Sequence, residues 1–218
     1  MDFESILTVC EIWAGRLGAS LGIGTLAMAI WGMVHATRQP AAREAGPGIR
    51  YLRWPVLLAA TVLFLGAGAA MWRPLPLQLS PLLRLAPLVL GTIVLVLGLA
   101  LYLWGFFTLG RMFAPSSGFA VRLQAEPRLV TSGPFRFVRH PMYLAVILSF
   151  AGGLLLYRTW TMLVFAATML GLVVRARRED RLLSAVFGDA WQAWARRVPA
   201  WFPRLGRPSG SPRRTRGA

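Results

Sequence analysis

The chain has 218 residues, 56% of them hydrophobic, and a mean hydropathy of +0.55. So apolar a composition excludes an ordinary soluble domain and requires long runs placed in lipid. Only 15% of residues are charged, yet 24 arginines with no lysine, against eight acidic residues, leave a net charge of +16; the basic charge is therefore segregated from the apolar mass, as on the cytoplasmic side of a membrane protein. A single cysteine, Cys10, excludes an intramolecular disulfide framework, and two histidines, His35 and His140, leave a structural zinc cluster without a ligand set.

Residues 1–11 carry Asp2, Glu4 and Glu11 and no basic residue, unlike the positive start of a secretory signal, so no cleaved leader is expected there. Residues 12–34 form a first apolar run, long enough as a helix to cross a hydrocarbon core of about 30 Å. Its Gly18-x-x-x-Gly22 spacing favours close helix packing. Gly22, Gly24 and Ala27 also spell a dinucleotide-type G-x-G-x-x-A, but no strand precedes them, and the match is read as accidental. Arg16 is expected to snorkel and His35 to sit at the interface. A connection with Arg38, Arg43, Arg50 and Arg53, broken by Pro40 and Gly46-Pro47-Gly48, leads to a second span over residues 54–72 with tryptophan at both ends. The Pro-rich Pro74, Pro76 and Pro81 connection precedes a third span over residues 85–109.

The polar stretch 110–139 carries the breakers Pro115-Ser116-Ser117-Gly118 and Glu126-Pro127 and reads as a loop. Beyond Pro141, two apolar stretches at 142–157 and 159–174 are divided by Arg158. Each is about 24 Å long if helical, so a tight hairpin turning at Arg158 is expected in place of one helix with a charge at its centre. From Arg175 the chain turns basic, with Leu182, Leu183, Val186, Phe187, Trp191 and Trp194 on an amphipathic helix, and it ends in a Pro/Gly/Ser/Arg tail expected to be disordered. Four arginines from Arg38 to Arg53, five from Arg111 to Arg139 and eleven from Arg175 onward fall on one side, and only Arg73 and Arg84 on the other. The positive-inside rule then gives an all-α integral membrane protein of about five transmembrane helices, N-terminus outside and C-terminus cytoplasmic. Attraction to anionic lipid accounts for the basic charge, and no nucleic-acid partner is expected.

The polar groups that remain gather at the two ends of the hairpin. His140 lies 18 residues before Arg158 and Ala176 lies 18 after it, so Arg139-His140-Pro141-Met142-Tyr143 and Arg175-Ala176-Arg177-Arg178-Glu179-Asp180 should meet at the cytoplasmic boundary. Pro141 suits the first turn of a helix, whose free N–H groups with Arg139 and His140 would make an anion site. Arg175 and Glu179 share a face at i, i+4 and can offer a carboxylate to a cation. Adjacent anion and cation sites fit a zwitterionic amino-acid moiety. Taken singly, these groups also read as a helix cap and a surface ion pair; their convergence favours a site. Trp191, Trp194 and Trp201 are expected to serve as interface anchors more than as an adenine platform. Cys10, with no basic neighbour or histidine, has little claim to be a nucleophile.

The runs Gly133-Pro134-Phe135-Arg136-Phe137-Val138-Arg139-His140-Pro141-Met142-Tyr143, Arg178-Glu179-Asp180-Arg181-Leu182-Leu183 and Phe187-Gly188-Asp189-Ala190-Trp191 through Val198-Pro199 resemble the isoprenylcysteine carboxyl methyltransferase superfamily, to which phospholipid methyltransferases are related. The match covers residues 129–203; the first three spans agree only in kind. The resemblance implies an integral-membrane enzyme using S-adenosyl-L-methionine, with Val130, Gly133, Pro134, Val138, Arg139, His140, Pro141, Tyr143 and Glu179 around the cofactor, and His140, Glu179 and Arg175 nearest the chemistry. Asp180 stands where a second Glu is usual, Phe135 where Tyr is common, and Trp191 and Trp194 where Tyr is frequent, which makes a direct role for Asp180 less secure than for Glu179. The organisation expected is an N-terminal membrane region (1–110), a catalytic core (111–205) and a basic tail (206–218). The expected acceptor is lipophilic, with O-methylation of a carboxylate ahead of N-methylation. The rivals are a sterol-reductase-like enzyme using a reduced nicotinamide cofactor and a non-catalytic membrane scaffold.

Overall fold

A computed structural model describes residues 2–38, 41–45, 54–113, 116–117, 120–124 and 128–203. Six α-helices account for most of them: α1 (Phe3–Arg38), α2 (Trp54–Ala70), α3 (Pro81–Leu109), α4 (Pro141–Tyr157), α5 (Trp160–Met169) and α6 (Gly171–Arg197). α1, α3 and the rod made by α5 and α6 are long and apolar enough to cross a membrane, while α2 and α4 are shorter apolar helices. Large apolar side chains lie exposed along them, among them Trp13, Ile23, Trp31, Leu63 and Leu97. Only lipid can cover so much apolar surface. The chain is an integral membrane protein, and the expected all-α architecture with a terminal hairpin is borne out.

Two boundaries differ from the expectation. α1 begins at Phe3 and takes the acidic N-terminal residues into the helix. The amphipathic stretch is no separate element, because α5 passes into α6 with only Leu170 between them. A small antiparallel sheet is also present where the sequence reads as loop: β1 (Ala41–Ala45) and β2 (Ser116–Ser117) both pair with β3 (Ala120–Gln124), with Ala41 opposite Gln124 and Ser117 opposite Ala120. The sheet ties the connection after α1 to the connection after α3. The terminal tail and most of the Arg38–Arg53 connection lie outside the described residues.

α3 and α4 form the tightest pair in the bundle. Gly91, Gly98 and Gly105 recur every seven residues on α3 and face α4. A Cβ at Gly98 would stand 2.7 Å from the Ser149 nitrogen, and one at Gly152 of α4 would stand 2.3 Å from the Leu95 nitrogen. The two backbones touch, which in lipid, where dispersion replaces the hydrophobic drive, is what holds helices together. Of the Gly18/Gly22 pair, Gly18 meets Leu95 and Tyr157, but Gly22 has nothing beside it. Leu7, Leu88, Leu95 and Leu156 form the core of the α1–α3–α4 contact.

The hairpin turns at Arg158, as expected, in the left-handed conformation (φ 49°, ψ 46°). Its carbonyl accepts from Leu75 N (2.7 Å), and Trp160 N donates to Arg73 O (3.0 Å), so the Pro-rich connection is laced to the turn. The Arg158 Nη2 donates to Glu11 Oε1 (2.7 Å), and Arg84 pairs with the same carboxylate. Glu11 thereby joins α1 to α3 and the hairpin, an ion triad that the sequence reading does not contain.

Candidate functional site

The opposite end of the bundle holds the polar clusters. A 3₁₀ turn, Gly133–Arg136, lies against the end of α3. Gly133 has φ 56°, a region open to glycine at little cost, and a Cβ there would strike the Thr108 hydroxyl at 2.5 Å. Pro134 is fully buried, Val138 is buried, and Val130 is half-buried on the approach to the turn. The turn fixes where α4 starts. Pro141 occupies the first helical position, where its missing N–H costs nothing, and His140 is the N-cap residue.

α6 runs back past this start, and the hairpin brings the two clusters into contact. Arg139 Nη2 donates to Asp180 Oδ2 at 3.0 Å, and His140 Nε2 lies 2.9 Å from Asp180 Oδ1. One turn along α4, the Tyr143 hydroxyl donates to Glu179 Oε2 at 2.5 Å. The Arg175 guanidinium lies 5.2 Å from the centre of the Tyr143 ring, within cation–π range. His140 stacks on Tyr143, with 5.6 Å between ring centres and 9° between planes, and its ring lies 5.8 Å from that of Trp201. His140 is only 6% exposed. The result is a row of three aromatic rings, Tyr143, His140 and Trp201, edged by two adjacent carboxylates.

The chain end closes over this row. Gly188 (φ 52°, ψ −127°) kinks α6, and the segment after the helix returns to the start of α4. Arg139 N donates to Pro199 O (2.8 Å) and His140 N to Ala200 O (3.1 Å), while Arg139 Nη1 donates to Ala195 O (2.9 Å) and Val198 O (3.3 Å). Arg139 therefore serves as the C-terminal cap of α6 and fastens the strap 198–201.

Several expectations change here. The backbone N–H groups of Arg139 and His140 donate to strap carbonyls, so these two groups add no free donor beside the first turn of α4. The Arg139 guanidinium is taken by Asp180 and α6. Glu179 and Arg175 both meet Tyr143. Asp180, set behind Glu179 in the sequence reading, is the residue that reaches both Arg139 and His140. Trp191 packs under the Arg139 guanidinium (5.5 Å), Trp194 is buried and Trp201 adjoins His140, so these tryptophans belong to the packing of this end and are more than interface anchors. The signal for Trp201 lay in the Val198-Pro199 motif, which returns the chain to the site. At the periphery, Arg16 lies over the Trp13 ring, His35 stacks on Trp31, and Cys10 is exposed.

Most of α3, all of α4 and α5 and most of α6, together with both carboxylates, fall inside one region of similarity to a known family. Residues 86–190 match the phospholipid methyltransferase family. The superfamily resemblance read from the Gly133–Tyr143 and Arg178–Trp191 runs is thereby borne out. Over 79 residues the chain is also 38% identical to the cobalt-zinc-cadmium resistance protein CzcN of Cupriavidus metallidurans, covering 35% of this chain and 36% of the relative. The same identity and length relate it to the nickel-cobalt-cadmium resistance protein NccN of Alcaligenes xylosoxydans xylosoxydans, covering 35% and 37%. The aligned part of the chain spans little more than a third of the length of these curated relatives. The strap 198–201 lies beyond the phospholipid methyltransferase match.

Proposed function

We propose that the protein is an S-adenosyl-L-methionine-dependent methyltransferase acting on a lipophilic acceptor drawn from the membrane. The observation that carries this reading is the pairing of Glu179 and Asp180 with Tyr143, His140 and Arg139 within a segment that matches a membrane methyltransferase family. The donor set fits the cofactor. Its sulfonium and ammonium are cations, which carboxylates and aromatic faces attract, and its carboxylate seeks a cation such as Arg175. Glu179, oriented by Tyr143, would hold a cationic group. The Tyr143–His140–Trp201 row would cover it, and the 3₁₀ turn with Val130, Gly133, Pro134 and Val138 would shape the entrance.

When bound, the cofactor supplies an already electrophilic methyl group. The chain's own task is then to orient the acceptor in line and exclude water, and the strap over His140 suits the second role. An acceptor carboxylate is ionised at neutral pH and needs no base, whereas an amine must lose a proton, for which His140 and Glu179 are the nearest groups. A carboxylate acceptor is the first choice and an amino lipid the second. By the arginine bias this end would face the cytoplasm, from which a soluble cofactor would enter, while the acceptor would arrive sideways from the bilayer.

Calorimetric titration of the purified protein tests the class. Saturable binding of S-adenosylmethionine, with none of reduced nicotinamide nucleotide, is expected; the reverse pattern would replace this reading by a reductase-like one. Methyl transfer in bilayers should also rise with acceptor chain length, each buried CH₂ adding about 0.8 kcal/mol. Equal activity on short water-soluble acceptors would remove the lipophilic substrate.

A further inference from the structure

His140 and Asp180 share a hydrogen bond whose direction is decided by chemistry. An ionised carboxylate only accepts, so the proton between Asp180 Oδ1 and His140 Nε2, 2.9 Å apart, sits on nitrogen. The Asp180 charge is secured from its other side by the Arg139 guanidinium at 3.0 Å, which is itself held by Ala195 O and Val198 O. The imidazole has little freedom to turn away. It is buried, flanked by Tyr143 and Trp201, and its backbone N–H is fixed to Ala200 O. Among the described residues its side chain makes no second hydrogen bond. A neutral ring protonated at Nε2 carries its lone pair on Nδ1.

We infer that Asp180 is a positioning residue that holds His140 as the Nε2–H tautomer, so that Nδ1 receives a hydrogen bond from a ligand and this side of the site selects an N–H or O–H donor. The ligand class is therefore an ammonium or another protonated group, the opposite of the carboxylate or phosphate that Arg139 and His140 imply when read from sequence. Asp180 acts through His140 and Arg139 and need not touch the ligand. That the ligand is the methyl donor or its acceptor rests on the methyltransferase reading; the tautomer does not.

The chain's two histidines make the test direct. Nitrogen NMR of the full-length protein in nanodiscs, labelled with ring-¹⁵N histidine and recorded at pH 8, shows two imidazoles, assigned with His35→Gln. His140 is expected to show a protonated Nε2 and an unprotonated Nδ1. In Asp180→Asn the side-chain oxygen stays on Arg139, so the amide NH₂ faces Nε2 and the tautomer should invert. Asp180→Glu retains an acceptor-only group and should keep the wild-type form. Inversion should weaken S-adenosylmethionine binding about tenfold or more in Asp180→Asn, in line with one lost charge-assisted contact.

A wild-type His140 protonated at Nδ1, whether in place of Nε2 or together with it, overturns the inference. So does a folded Asp180→Asn with an unchanged tautomer. Should Asp180→Asn fail to fold, the wild-type spectrum and Asp180→Glu still decide. An Nε2–H ring in a protein that binds no S-adenosylmethionine would leave the Asp180 assignment standing and remove the methyltransferase reading alone.

Discussion

Glu179 and His140 stand on different helices, and each is held by a partner that the other does not use. Glu179 accepts from Tyr143, and His140 is locked to Asp180. Neither side chain supports the helix contacts that hold the bundle, which lie at Gly91, Gly98 and Gly152. Truncating either should thus spare the fold and cost the ligand. His140→Ala and Glu179→Ala are each expected to lose about 1.5–3 kcal/mol of S-adenosylmethionine binding, roughly ten- to a hundredfold in affinity, as measured by titration alongside thermal unfolding. Affinity within twofold of wild type in both would remove these residues from the site.

At the level of elements, the position of the site depends on how closely α3 and α4 approach, because α4 carries His140 and Tyr143 at its start. At Gly91 and Gly98 backbone meets backbone, and a side chain placed there meets main-chain atoms of α4 that cannot swing aside, whereas Gly105 faces the Met142 side chain. Gly98→Leu should force the helices apart at a cost of about 1–3 kcal/mol or more, read as a lowered unfolding midpoint in detergent. Gly22→Leu, at a position with open space beside it, should leave the midpoint nearly unchanged. Equal effects at the two positions would show that the α3–α4 approach does not hold the bundle. The sequence motif singled out the weaker of the two glycine patterns, since Gly18-x-x-x-Gly22 marks a surface fit for packing without saying whether a helix covers it.

For the whole molecule, polarity between the two ends is the organising feature. The Glu11–Arg84–Arg158 triad closes one end and the Asp180 network the other. With twenty arginines at the site end or its connections and two in the loop opposite, the site end should face the cytoplasm. Single cysteines at Ala42, Gln78 and Ser209, introduced in a Cys10→Ser background, test this with a membrane-impermeant thiol reagent on intact cells and on inverted vesicles. Gln78 should label from outside and the other two from the cytoplasmic side. Labelling of all three from one side would sink the five-crossing topology.

Composition and periodicity by themselves determined that the chain lives in a membrane, where α2, α3 and α4 begin and end to within a few residues, and that the hairpin turns at Arg158; the start of α1 and the break between α5 and α6 were not legible there. Those features follow from local quantities: apolar run length against bilayer thickness, the cost of burying a charge, and proline and glycine as breakers. The hairpin arithmetic also brought the Arg139–Tyr143 and Arg175–Asp180 clusters to one end. Which residue in one cluster meets which in the other is set by how the helices pack. Glu179 and Asp180 are neighbours in sequence but point about 100° apart around a helix, so one meets Tyr143 and the other meets His140 and Arg139. The Glu11 triad, the three-stranded sheet and the strap at Pro199 and Ala200 likewise join segments far apart in the chain. Their partners are chosen by the packing of helices, and no local pattern of residues records that choice.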